Sequence, residues 1–125
     1  MSKRVLIVED DDDIRDVISL SIQTTTDWIL TAAGSGTEGL IAARSGPHDV
    51  ILLDAMMPDM DGPAVFVELR ADPSTSQIPV IFVTAKVQAA DRQRFEDLGA
   101  AGMIQKPFDP FALADQVRAI LGWEA

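Results

Sequence analysis

The chain has 125 residues, 47% hydrophobic and 24% charged, an ordinary globular composition long enough for one domain, residues 1–125, and too short for two. Ten Lys and Arg against twenty Asp and Glu give a formal charge of −10, which disfavours direct binding to nucleic acid or an anionic membrane and makes a cation the more natural small partner. The absence of cysteine excludes disulfides, thiolate chemistry and cysteine-held zinc, and no apolar run is long enough for a bilayer span or a signal peptide, so a cytoplasmic location is expected.

The first apolar run, residues 5–8 (VLIV), is short and rich in β-branched residues, which reads as a buried strand. Five acids come next. Asp11, Asp12 and Asp13 suit the positive end of a helix, and Ile14, Val17, Ile18 and Ile22 mark that helix at the right spacing. Glu9 and Asp10 stand directly at the strand's carboxyl end, where a helix start does not account for them. Further strand-like runs lie at 28–32, 50–53, 80–83 and 102–104. Between them, Leu40, Ile41 and Ala43, then Val65, Phe66 and Leu69, then residues 89–98, repeat at helical spacing. Asp109 followed by Pro110 offers a capping side chain and a pre-set backbone angle before Phe111, Leu113, Val117, Ile120 and Leu121, which predicts a fifth helix. Five alternations of strand and helix, with strands apolar on both faces, predict an α/β fold: a parallel sheet covered by helices on each side.

Such open sheets bind ligands outside the carboxyl ends of their strands, where the strand order reverses. At those ends stand Glu9 and Asp10 after the first strand, Asp54 after the third, Thr84 and Ala85 after the fourth, and Lys106, before Pro107, after the fifth. Asp10 and Asp54, with Glu9 close behind, supply the hard oxygen ligands that Mg2+ prefers, and Mn2+ could substitute. Clustered carboxylates raise one another's pKa, and a bound dication reverses this. An ionised Asp54 is then able to attack phosphorus and carry an aspartyl phosphate, with Thr84 and Lys106 placed to neutralise phosphoryl oxygens. Singly, Thr84 is a strand residue and Lys106 a surface amine. Four separate segments delivering suitable groups to one sheet edge is a far more specific pattern.

The segments VLIVEDD, LLDAMMPDMDG, VIFVTA and MIQKPF resemble, in order and over essentially the whole chain, the receiver domain of two-component response regulators. The resemblance implies a flavodoxin-like (βα)5 fold of strand order 2-1-3-4-5, an order for which receivers are themselves a standing example. It implies Asp54 as phosphoacceptor, Glu9 and Asp10 as the acidic pair, with Glu9 reaching the metal through water, and the backbone carbonyl of Met56 as a metal ligand. Thr84, Ala85 and Lys106 would contact the phosphoryl group, with a cis bond between Lys106 and Pro107. The implied function is that of a signalling domain rather than a free-standing enzyme, supporting its own phosphotransfer and dephosphorylation. Its partners would be a histidine kinase or histidine phosphotransfer protein and an output protein or domain. The family often has Tyr or Phe where this chain has Met103, so Thr84 and Met103 are the expected switch positions without a phenolic hydrogen bond. Otherwise the output would rest on the loop 87–90, with Met103 only packing.

Two other motifs compete. GSGTEG at 34–39 satisfies the dinucleotide-binding pattern G-x-G-x-x-G, though it leaves Glu9, Asp10, Thr84 and Lys106 unused, and a plain turn and helix start also explains it. Asp59, Asp61, Gly62 and Glu68 fall at calcium-loop positions, but the first position is Met57 and a strand precedes the loop.

Overall fold

The computed structural model describes residues 2–85 and 88–123. Val87, part of the alternative output loop, lies outside the described residues. The elements run β1 (Arg4–Val8), α1 (Asp12–Thr25), β2 (Ile29–Ala33), α2 (Gly36–Arg44), β3 (Val50–Asp54), α3 (Gly62–Ala71), β4 (Val80–Thr84), α4 (Ala89–Leu98), β5 (Gly102–Gln105) and α5 (Leu113–Leu121). The five strands form one sheet of order β2-β1-β3-β4-β5, and each neighbouring pair is parallel. The chain moves from β1 outward to β2 and then crosses to β3 on the other side, so the carboxyl ends of β1 and β3 flank the reversal point.

Both faces of the central strands are buried because alternate side chains point to opposite sides. Leu6, Val8, Ile51, Leu53, Val80 and Phe82 share one core with Leu40, Val65, Phe66, Leu69 and Phe95 of α2, α3 and α4. Val5, Ile7, Val50, Leu52, Ile81 and Val83 share the other with Ile18 and Ile22 of α1 and Leu113 and Val117 of α5. Full burial of each Val, Leu, Ile or Phe side chain contributes roughly 1.5–3 kcal/mol. Phe82 stacks on Phe95 with ring centroids 4.4 Å apart, which fixes α4 over β4. Gly99, at φ 95°, ends α4 in the left-handed conformation that favours glycine.

Several expectations are corrected. β2 starts at Ile29, not Trp28: the Trp28 amide bonds to Thr26 Oγ1 and its ring meets Trp123 edge-on at 5.4 Å, which takes it out of the ladder. As an edge strand, β2 also leaves Ile29, Thr31 and Ala32 exposed, so apolar burial on both faces holds for the inner strands only. The fifth helix starts at Leu113 rather than beside Asp109 and Pro110. Asp109 Oδ1 accepts from the Phe111 amide at 2.9 Å and its carbonyl from Ala112, a closed turn, while Ser21 Oγ donates to the Pro110 carbonyl that a helix would have used. Phe111 is consequently 85% exposed instead of in the core, and Ile41, one position round from Leu40, is 61% exposed.

Candidate functional site

Asp11 caps α1 by accepting from the amides of Asp13 and Ile14 at 2.9 and 3.1 Å, and Asp12 and Asp13 occupy its first turn. Three of the five acids are thus used as helix-start acids. The other two turn inward. Glu9 continues the ladder past β1 through its amide to the Ala33 carbonyl at 3.0 Å, and Arg15 Nη1 donates to the Glu9 carbonyl at 2.9 Å. Its side chain is buried, as is Asp54 at the end of β3, while Asp10 is half-buried. Oxygens of Glu9, Asp10 and Asp54 all lie within 4.8 Å of one another.

Lys106, delivered by the segment after β5, places Nζ 2.6 Å from Glu9 Oε1 and 3.4 Å from Asp54 Oδ1. Asp54 Oδ1 also accepts from the Met56 amide at 3.1 Å. Among the described residues, Lys106 alone pairs with these three carboxylates, which leaves the cluster short of positive charge. Burial, followed by the hydrogen bond and charge of Asp54, pushes the Glu9 carboxyl up to about 8 against the opposing pull of Lys106. Burial and Asp54 likewise raise Asp10. Burial works against the charge of Lys106, but the Glu9 hydrogen bond and the Asp54 charge outweigh it and hold the ammonium above its ordinary range. Glu9 Oε2 is buried without a hydrogen-bond partner among the described residues. An orphaned buried carboxylate oxygen, an all-oxygen donor set and carboxyls pushed toward protonation are what a hard dication or its bound water relieves, so these residues fit Mg2+.

Thr84 ends β4, buried, and its carbonyl accepts the Lys106 amide at 2.8 Å, which aligns the β4 and β5 exits. The Lys106–Pro107 bond is cis. An open cleft of about 220 Å³ is lined by Glu9, Asp10, Asp11, Ile14, Asp54, Met56, Thr84, Ala85 and Lys106. Every expected site residue except Met103 and Pro107 therefore borders one cleft. Met103 packs half-buried against the core on the α4 side, paired in register with Phe82 and grouped with Arg92, Phe95, Glu96 and Ala100.

The glycine motif has a structural role. Ser35 Oγ caps α2 at the Glu38 amide, and Glu38 Oε2 accepts from the Gly34 amide. The next anion position is filled from within: Asp59 Oδ1 accepts from the Gly36 amide, and Asp59 Oδ2 from the Thr37 amide and hydroxyl, each at 3.1 Å. The Gly36 amide first, then that of Thr37, draws the Asp59 carboxyl below its ordinary range. A Cβ on Gly36 would stand 2.9 Å from Met60 Cβ, and one on Gly39 2.7 Å from both Val8 methyls, so these glycines permit close packing of α2. Asp61 caps α3 at the Ala64 amide, which together with Asp59 accounts for the calcium-like spacing. Sequence reasoning saw Asp59 only as part of a calcium-like spacing, because a carboxylate 23 residues from its partner leaves no periodic signal, and it did not single out Arg15, whose guanidinium meets the Glu9 carbonyl.

The family description "response regulator receiver domain" matches residues 5–118. Among curated proteins, the chain is 36% identical to the DNA-binding dual master transcriptional regulator RpaA of Synechocystis over 94% of its length and 48% of that protein. It is 38% identical to the response regulator PleD of Caulobacter vibrioides over 96% of its length and 26% of that protein. The chain spans about half or less of the length of these relatives. Among solved structures, the chemotaxis protein CheY4 of Vibrio cholerae superposes with a TM-score of 0.89 at 28% identity, covering 96% of this chain and 99% of that one. The receiver domain of the sensor histidine kinase PA1611 of Pseudomonas aeruginosa, which has a magnesium ion coordinated in its active-site cleft, gives 0.85 at 25% identity, covering 98% and 99%.

Proposed function

The chain belongs to the response regulator receiver domain family, and from that premise we propose that residues 1–125 act as one receiver that takes a phosphoryl group from a phosphohistidine onto Asp54. The observation that carries this reading is the Lys106 ammonium set between buried Glu9 and Asp54 at the sheet's reversal point. An ionised oxygen of Asp54 attacks phosphorus, the P–N bond breaks, and the imidazole leaves with the bonding electrons. Lys106 and the Thr84 hydroxyl meet the phosphoryl oxygens, and the Ala85 backbone lies beside them. Asp10, Asp54 and the Met56 carbonyl would hold Mg2+ or Mn2+, with Glu9 acting through water. When bound, the ion neutralises phosphoryl charge and keeps the carboxylates ionised.

Thr84 and Met103 are the proposed switch positions. The donor would be a histidine kinase or histidine phosphotransfer protein, and the receiver would support its own dephosphorylation. RpaA is named as DNA-binding, but a net charge of −10 argues that this chain acts through a partner protein or domain. A cytoplasmic setting belongs to the same proposal; no described helix is long and apolar enough to cross a membrane.

Intact mass after mixing with acetyl phosphate and Mg2+ tests this. A gain of one phosphoryl group is expected for the parent and none for Asp54→Asn or without metal. A metal-dependent gain that survives in Asp54→Asn removes Asp54 as the acceptor.

A further inference from the structure

The segment joining β3 to α3 borders the acidic cleft through Met56. Its base is tied by the Gly62 amide to the Ala55 carbonyl at 3.1 Å and by the Met56 amide to Asp54 Oδ1. Gly62 lies so close that a Cβ there would stand 2.5 Å from the Asp54 carbonyl. The tip leans on a different element. Both oxygens of Asp59 accept from the first turn of α2, three hydrogen bonds at 3.1 Å, and Met60 presses on Gly36 beside them.

These bonds are more than a helix cap. α2 already has its local cap, since Ser35 Oγ accepts from Glu38 and the Ser35 carbonyl from Gly39. Asp59 comes from 23 residues away, so its bonds fix the segment as well as the helix. Asp59 faces α2 and does not border the acidic cleft.

We propose that Asp59 is a positioning residue for the cation site: by pinning the β3–α3 segment to α2, it holds the Met56 carbonyl and the Asp54 carboxylate in the arrangement that binds Mg2+. The inference rests on the metal reading above. Freed of Asp59, the segment hangs on its base alone, the two base bonds open more often, and the Met56 carbonyl samples orientations away from the cleft. Groups hydrogen-bonded to metal ligands typically contribute tenfold or more to affinity; Asp59 acts on the ligands through the segment rather than by contact, so a loss at the low end of that range, about tenfold, is expected.

Calorimetric titration of Mg2+ into the whole chain tests this with four variants, each first checked for folding by circular dichroism. Asp59→Ala should bind about tenfold more weakly, and Asp59→Asn, which keeps one acceptor oxygen, should fall between it and the parent. Asn also serves if Ala does not fold. Ser35→Ala removes a cap from the same helix without touching the segment, so its affinity should stay within about twofold of the parent. Asp10→Ala reports on the metal reading itself and should lose binding. In the metal-free chain, hydrogen exchange at the Met56 and Gly62 amides should quicken in Asp59→Ala and not in Ser35→Ala. Parent-like affinity in both Asp59 variants overturns the inference while leaving the metal reading intact, as does an equal loss in Ser35→Ala, which reduces Asp59 to a stabilising cap. A parent that binds no Mg2+, or an Asp10→Ala that binds as tightly, overturns the metal reading and this inference with it.

Discussion

Lys106 Nζ lies 2.6 Å from Glu9 Oε1 and 3.4 Å from Asp54 Oδ1, so one ammonium is shared by two buried carboxylates at the carboxyl ends of different strands. Burial of the pair, against the pull of the ammonium, sets the pH response of the metal-free protein. Glu9 rises from an ordinary 4.5 to about 8 on folding, mainly through burial, so its protonated form is favoured in the folded state. A raised folded pKa contributes stability that is fully present below 4.5 and is lost as pH rises through about 8. Asp10 is shifted in the same direction. Urea midpoints without metal should therefore fall between pH 5 and pH 8.5, and Glu9→Gln should flatten the slope. Mg2+ should restore stability most at the upper end. Lys106→Met removes the shared cation and should cost on the order of 3 kcal/mol at pH 8.5, the cost of stranding buried charge. At pH 5 the loss should be smaller, because Glu9 takes a proton instead. A flat profile for the metal-free parent would show that Glu9 stays ionised beside Lys106.

A second expectation concerns packing at the amino end of α2. A Cβ on Gly39 would sit 2.7 Å from both methyl groups of Val8, which is fully packed in the core of β1. Gly39→Ala should lower stability by about 1–3 kcal/mol, the usual cost of overpacking. The residue after Val8 is Glu9, so any shift of β1 should also weaken Mg2+ binding modestly. Unchanged urea midpoints would mean that Val8 finds another rotamer without strain.

Much of the fold was legible because short continuous apolar runs and segments of period 3.6 alternate along the chain. Residues 5–8, 50–53 and 80–83 are buried on both faces, and strands of that kind leave few alternatives to a parallel sheet. The site was legible for a related reason: strands that end in Asp54 and Thr84 must present those groups at one edge. Local signals failed where a distant partner decided the outcome. Asp109 and Pro110 look like a helix start, but Ser21, 89 residues away, takes the Pro110 carbonyl. The glycines of 34–39 match a phosphate-binding pattern, yet Asp59 fills that position.

The remaining expectation is that phosphorylation of Asp54 shifts a two-state equilibrium across α4, β5 and α5, and that Met103 carries it without an aromatic ring. Drawing the Thr84 hydroxyl toward a phosphoryl group vacates space at the carboxyl end of β4, next to β5. Met103 pairs in register with Phe82, two residues before Thr84, and lies half-buried beside Phe95. An unbranched thioether adapts to such a change by turning rather than by gaining a hydrogen bond. A ligand moves an equilibrium only by its differential affinity for the two states, so this coupling should be weaker than one in which a phenol gains a partner. Amide spectra with and without a phosphoryl mimic should show shifts at Met103, Phe95 and residues of α5, and Met103→Ala should reduce those on α5. Met103→Tyr should enlarge them. Shifts confined to the segments around Asp54 would assign Met103 to packing alone.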